Sequence, residues 1–365
     1  MQQGGKLTPR ERVRRAVQRE STDRIPIDFR AVGDVYTALR NHIGCSSDEE
    51  VCQRLHSDIR GLYKSYGTYH GPVEQHRPDG TFVDFWGIPY AKSVNAFGQI
   101  CWNYIDPPLG NANNTDEIRN YPWPDPDWWD YDIADQLQLH TKPVPYWIGI
   151  FGSSILGRAC QLRGMEQTFV DMMEEHEIIE VIFDKVTSFF INTTVRALTA
   201  AQGRIDMVES MDDYGSQNGL LISPPLWRRH IKPRLKKFND VVKQHGAVVY
   251  QHSCGSIMPL IDDLIEIGTE VLDPLQFSAH DMAPATLMSR FSSQLTFHGG
   301  MDIQQVVPRL PIPELLTEAQ RIIDVMAVRH GYIFAGTHYF QVDATPEKII
   351  ALFDFASRYS PEKQS

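Results

Sequence analysis

Beyond residue 144 the chain alternates between two hydrophobic periods. Apolar runs at Pro145–Phe151, Ile205–Met211, Ala247–Gln251, Glu270–Leu275, Leu295–His298 and Tyr332–Ala335 are separated by amphipathic segments of helical length. Two earlier runs, Ile25–Phe29 and the one that begins at Asp58, have the same strand character. Thr8 and Pro9 form a cap and first turn for an N-terminal helix over 9–19, which Asp23-Arg-Ile-Pro26 stops. Further helical stretches fall at 33–43 and 47–55, and Ser223-Pro-Pro opens another that Gly246 closes. Eight strand–helix units in 365 residues predict an α/β fold, a (β/α)8 TIM barrel with an N-terminal helical extension, ahead of an open doubly wound sheet. No Gly-x-Gly-x-x-Gly supports the open sheet.

Residues 70–142 break the alternation. Asp79-Gly80 precedes an alternating Thr-Phe-Val-Asp-Phe-Trp86, and the stretch Tyr121-Pro-Trp-Pro-Asp-Pro-Asp-Trp-Trp129 is dense in breakers. An irregular insertion over the C-terminal face of the barrel is expected, within one domain spanning 1–365. Its tryptophans Trp86, Trp102, Trp123, Trp128 and Trp129 either line an aromatic substrate pocket or pack under a long loop.

The strand ends carry the candidate chemistry. Val248-Val-Tyr-Gln-His-Ser-Cys-Gly255 reads as a buried strand, and period two points His252 and Cys254 the same way, as half of a tetrahedral zinc site. A hydrogen-bonded histidine beside a free buried cysteine is the competing reading. Other predicted strands end in Glu209-Ser-Met-Asp-Asp213, Asp273-Pro-Leu-Gln276, His298-Gly-Gly-Met-Asp302 and Gly336-Thr-His338-Tyr-Phe-Gln341. In a barrel these ends meet at one mouth, so five polar ends in register mark a site.

Composition narrows the partners. With 46 acidic against 35 basic residues and a net charge of -11, the chain offers no overall basic balance for nucleic acid or an anionic membrane. Five scattered cysteines (Cys45, Cys52, Cys101, Cys160, Cys254) without a Cys-x-x-Cys make a disulfide framework unexpected and a reducing compartment, the cytoplasm, the expected location. The first residues lack an apolar signal-peptide core, and no apolar run has membrane-spanning length.

Several separated motifs together resemble the uroporphyrinogen decarboxylase-like superfamily. They are Thr8-Pro-Arg-Glu-Arg-Val with Asp23-Arg-Ile-Pro, Arg163-Gly-Met-Glu166, Asp212-Asp-Tyr-Gly-Ser-Gln217, His252-Ser-Cys-Gly255, Gly299-Gly-Met-Asp302 and Asp343-Ala-Thr-Pro-Glu-Lys-Ile. The resemblance covers nearly the whole chain and implies a (β/α)8 barrel. It also implies one of two activities, porphyrinogen decarboxylation or cobalamin-linked methyl transfer. Decarboxylases of the family hold substrate carboxylates with two arginines after the first strand, where this chain has Asp28-Phe-Arg-Ala-Val-Gly-Asp34 and a single Arg30. The His-x-Cys after the fifth strand is similar instead to the zinc-dependent methyltransferases.

The resemblance therefore implies zinc on His252 and Cys254, with the family's third ligand, usually Cys, shortly before the C-terminal Thr-Pro. No Cys follows Cys254, and His338 lies nearest the expected place. His338 is a metal ligand, a substrate-binding group or a core histidine, in that order of preference. Glu209 is a further candidate ligand. Asp212, Asp213 and Gln276 are the candidate catalytic residues, with helix capping as the competing reading for either Asp. Arg30, Phe151, Gln217, His298 and Asp302 are the candidate substrate contacts. The expected cofactors are Zn2+ and methylcobalamin on a corrinoid protein. Candidate partners are that corrinoid protein, a small-molecule substrate and a second copy of the chain. A metal-independent carboxy-lyase acting on another carboxylate is the alternative activity, and a decayed non-catalytic barrel the third reading.

Overall fold

The computed structural model describes residues 6–62, 64–95 and 98–359. Helix Pro9–Val17 begins where its sequence dictates: Thr8 is the N-cap, its hydroxyl accepts from Glu11 N at 3.2 Å, and Pro9 fills the first position. Helices Gly33–Ile43 and Asp48–Arg54 follow, then β1 (Ile59–Gly61).

The insertion contains β2 (Gln75–His76), β3 (Phe82–Val83), β4 (Pro89–Val94) and β5 (Ile100–Tyr104), an antiparallel sheet in that order. The remaining strands are β6 (Trp147–Ser153), β7 (Met207–Met211), β8 (Val248–His252), β9 (Val271–Leu275), β10 (Thr296–Met301) and β11 (Tyr332–Gly336). With β1 they form one curled parallel sheet in the order β1-β6-β7-β8-β9-β10-β11, and helices occupy the connections.

Seven of the eight expected strands form. The segment expected as a strand at Ile25–Phe29 does not join the sheet: its contacts are isolated parallel bridges, Ile27 with Phe334 and Ala31 with Phe340. Pro26 has no N–H to give to a ladder, which limits the segment to single contacts. Its carbonyl accepts from Phe334 N, and Ile27 O accepts from Asp58 N, so the segment touches β11 at one edge of the sheet and the residue leading into β1 at the other. The helix expected from Ser223 to Gly246 is two helices, Pro224–His230 and Lys232–Gln244, parted at Ile231, and the Ser223 side chain makes no capping bond. Pro224 is the first residue of the first helix and Pro233 the second residue of the other, both in the first turn where a missing N–H costs nothing.

Layering along the strands places the site. Ile59, Trp147, Met207, Tyr250, Val271 and Ile333 form a small apolar cluster with Val13 and Val17 of the first helix, which closes the amino-terminal end of the sheet. Two residues further along each strand, on the same side by strand periodicity, come Gly61, Gly149, Glu209, His252, Asp273 and Ala335. An apolar floor thus supports a layer of charged side chains, with glycine and alanine leaving room beside them.

The insertion is tied to helix Ile155–Arg163: Arg163 donates to the carbonyls of Leu109 and Ala112, and Arg158 pairs with Asp84 at 3.4 Å. Of its tryptophans, Trp86 is buried against Phe189 and Phe190, Trp129 packs on Phe85 and Phe189, and Trp123 donates to Ile118 O. Trp102 is largely exposed, edge-on to Phe82. The packing reading holds for buried Trp86 and half-buried Trp123 and Trp129.

Candidate metal site and its buried carboxylates

Strand β8 ends in His252, and the chain turns out through Ser253, Cys254 and Gly255. Gly255 has φ +81°, and a Cβ there would lie 2.6 Å from Ser216 O, so this turn admits only glycine. Cys254 Sγ lies 3.5 Å from His252 Nε2. The ligand atoms of His252, Cys254 and His338, which follows β11, all lie within 4.8 Å of one another. Tetrahedral zinc with Zn–S near 2.3 Å and Zn–N near 2.05 Å requires sulfur and nitrogen about 3.6 Å apart. The donor set fits such an ion.

His252 is held from behind. Its Nδ1 lies 2.6 Å from Asp273 Oδ2, which fixes a proton there and leaves Nε2 facing Cys254, where a metal ion would take the place of a proton. Burial disfavours a charged His252, but the hydrogen bond and charge of Asp273 outweigh it and hold its pKa well above the usual value. For Cys254 burial outweighs the help of His252 and pushes the thiol up; a bound cation reverses that balance.

Asp273 is the hub of a buried chain of charges. Its Oδ1 lies 2.5 Å from His298 Nδ1; His298 Nε2 lies 3.0 Å from Asp28 Oδ2; and Asp28 Oδ2 accepts from Arg30 Nε at 2.6 Å. Arg30 continues to Glu209 Oε1 at 2.9 Å and to the Tyr250 hydroxyl at 3.2 Å. Burial alone would raise the pKa of Asp273, yet the charges of His298 and His252 hold it well below the carboxylate range. A small cavity bounded by Arg30, His252, Asp273, His298, Ala335, Gly336, His338 and Tyr339 opens beside these groups.

The structure sorts the expected residues. His252, Cys254 and His338 come together, and Asp213 joins them: its Oδ1 accepts from Cys254 N at 2.8 Å and lies 3.7 Å from His252 Nε2. Gln276 accepts from Gly255 N and donates to Gln217, whose amide donates to Ser278 O, a polar strap beside Cys254. Glu209 lies within ligand reach of His252 and Asp273 but is engaged by Arg30.

His298 is 1% exposed with both nitrogens bonded, so it is no free substrate contact. Arg30 gives one N–H each to Asp28, Glu209 and Tyr250, and its charge is already paired with the two carboxylates. Asp212 accepts from Ser154 Oγ and from the amides of Ile155, Leu156 and Gly157, the first turn of a helix. Asp302 accepts from the amides of Gln304 and Gln305 in the turn after β10. Phe151 packs edge-on against Phe190. Sequence reasoning missed Asp28 and Asp273 as partners. The signal was present: a carboxylate inside the fully buried run Val271–Leu275 requires a partner from elsewhere in the fold.

Parallel strands, helices in the connections and a charged cluster at the carboxyl end of the sheet define an α/β enzyme scaffold. The family model of uroporphyrinogen decarboxylase (URO-D) matches residues 138–359, and the chain belongs to that family. Among solved structures it is similar to a methyltransferase from Methanosarcina mazei, with a TM-score of 0.67 at 15% identity over 96% of this chain and 98% of that one. A more distant match, 7,8-dihydropteroate synthase from Vibrio fischeri ES114, has a TM-score of 0.35 at 12% identity over 93% and 94% of the two chains. No curated protein matches the sequence. No helix among the described residues is long and apolar enough to cross a membrane.

Proposed function

We propose that the chain is a methyltransferase that holds zinc on His252, Cys254 and His338 and moves a methyl group between a small methylated substrate or thiol and a corrinoid (cobalamin) protein. The observation that carries this reading is the convergence of one thiol and two imidazoles from the ends of β8 and β11, with Asp273 orienting His252 from behind. The likeness to a methyltransferase fold supports it. Zinc bound there would supply Lewis acidity, either lowering the pKa of a substrate thiol or withdrawing charge from an ether oxygen.

The chain's own groups divide the remaining work. Asp213, beside the donor atoms and exposed, is placed to take the proton that a thiol or hydroxyl substrate gives up. Gln217 and Gln276 hold the loop around Cys254 in place. The 70–142 insertion forms the rim at which a corrinoid partner docks, and residues 25–31 stand between β11 and β1 as the eighth stave of the barrel. The carboxy-lyase alternative needs a cation free to receive a carboxylate; Arg30, its candidate, is already neutralised by Asp28 and Glu209.

Zinc analysis of the purified protein, with methyl transfer to cob(I)alamin from a panel of methyl ethers, methylamines and methyl thioethers, tests the proposal. Stoichiometric zinc and transfer from one class are expected, both lost in His252→Ala and Cys254→Ser and retained when Cys45, Cys52, Cys101 or Cys160 is replaced by Ser. A Cys254→Ser variant that binds zinc with undiminished affinity would end it.

A further inference from the structure

We infer that His298 is a positioning residue: an imidazolium clamped between Asp28 and Asp273, it fixes the rotation of the Asp273 carboxylate and so aims His252 Nε2 at the metal. The inference rests on the proposed metal site and adds to it a residue that touches neither metal nor substrate.

The proton inventory follows from geometry. Neutral imidazole has one donor nitrogen and one acceptor. In His298 both nitrogens face carboxylate oxygens, at 2.5 Å on Asp273 and 3.0 Å on Asp28, and the side chain is 1% exposed. A neutral ring would set one lone pair against a buried carboxylate oxygen, a repulsion that no water relieves. Doubly protonated, the ring donates twice, and positive and negative groups alternate along Arg30, Asp28, His298 and Asp273. The surroundings agree. Asp273 from β9 and Asp28 from the 25–31 segment are the facing anions, Arg30 is the opposing cation, and Tyr250 from β8 meets the ring edge-on at 5.4 Å. Burial disfavours the charged ring, yet the charge of Asp273 and the hydrogen bonds to Asp273 and Asp28 together outweigh it and raise the His298 pKa.

The consequence reaches His252. Asp273 has two oxygens and two histidines: Oδ1 on His298 and Oδ2 on His252. With Oδ1 pinned, the carboxylate cannot swing away from His252 Nδ1, and the His252 tautomer and ring plane are set before a metal arrives. Partners of this kind are worth about 10–100-fold in metal affinity.

Two measurements test the inference. Histidine-selective 15N NMR of metal-free wild-type protein at about pH 8, where an ordinary histidine is neutral, is expected to show both His298 nitrogens protonated. A pyridine-type nitrogen signal from His298 would overturn the imidazolium. Zinc affinity by chelator competition is expected to fall about 10–100-fold in Asp273→Asn and by a smaller factor in His298→Gln. The double variant should be no weaker than Asp273→Asn alone. Folded His298→Gln with wild-type zinc affinity, or full additivity in the double variant, would overturn the aiming role alone. Wild-type protein that binds no zinc would overturn the aiming role together with the proposed function, and the NMR result on the clamp would remain decisive for the imidazolium.

Discussion

Asp212→Ala separates a structural carboxylate from a catalytic one. Both Asp212 oxygens are occupied: Oδ2 accepts from Ile155 N at 2.6 Å and Leu156 N at 3.1 Å, Oδ1 from Gly157 N at 2.8 Å and Ser154 Oγ at 2.9 Å. These amides are the orphan donors of helix Ile155–Arg163, whose own N-cap residue, Ser154, makes no capping bond. Each buried amide left without an acceptor costs about 1–3 kcal/mol. Three of them, with one regained if Ser154 turns inward, leave two and give a loss of about 2–6 kcal/mol. At about 2.1 cal/mol/K of unfolding entropy per residue, 365 residues carry roughly 0.8 kcal/mol/K. The melting temperature should then fall by roughly 3–8 °C, read by calorimetry, while zinc content at 20 °C is unchanged. An unshifted melting temperature with methyl transfer abolished would refute the capping role and make Asp212 catalytic.

Two further perturbations probe the charge networks. Arg30→Met removes the shared partner of Asp28 and Glu209 and should cost about 3–5 kcal/mol in chemical denaturation; a stable variant with only a raised KM would instead mark Arg30 as a substrate contact. Glu180 bonds to His230, and this hydrogen bond, with that of Arg234, outweighs burial to bring the Glu180 pKa from 4.5 to about 2. A carboxylate depressed on folding stabilises above its unfolded pKa and loses that contribution as pH falls toward the folded one. Glu180→Gln should therefore lower the melting temperature at neutral pH and flatten its decline in acid, and parallel wild-type and variant curves would contradict this.

The sequence revealed the scaffold where local signals and tertiary demands coincide. Buried parallel strands read as apolar runs, and β6 to β11 each lie where a run was expected. The segment at Ile25–Phe29 reads as a strand by composition, and only the missing N–H of Pro26 argues against it. His252 and Cys254 were legible because they stand two residues apart at the end of an apolar run, although β8 ends at His252 and the turn through Gly255, not strand period, brings Cys254 beside it. His338 reached them through fold-level convergence alone. What the sequence hid is pairing across distance: Arg30 looks like a free cation until Glu209, 179 residues away, is seen to bind it, and Asp28 and His298 are 270 residues apart. Capping was one of the two readings open at Asp212, but which helix it caps was hidden, since that helix begins 57 residues earlier.

X-ray absorption at the zinc edge of the metal-loaded protein addresses the central claim most directly, because it counts sulfur and imidazole ligands. One sulfur at about 2.3 Å and two imidazole nitrogens at about 2.0–2.1 Å are expected, falling to one imidazole in His338→Ala and to no sulfur in Cys254→Ser. A spectrum without sulfur, or one that His338→Ala leaves unchanged, would contradict a metal centre built from His252, Cys254 and His338.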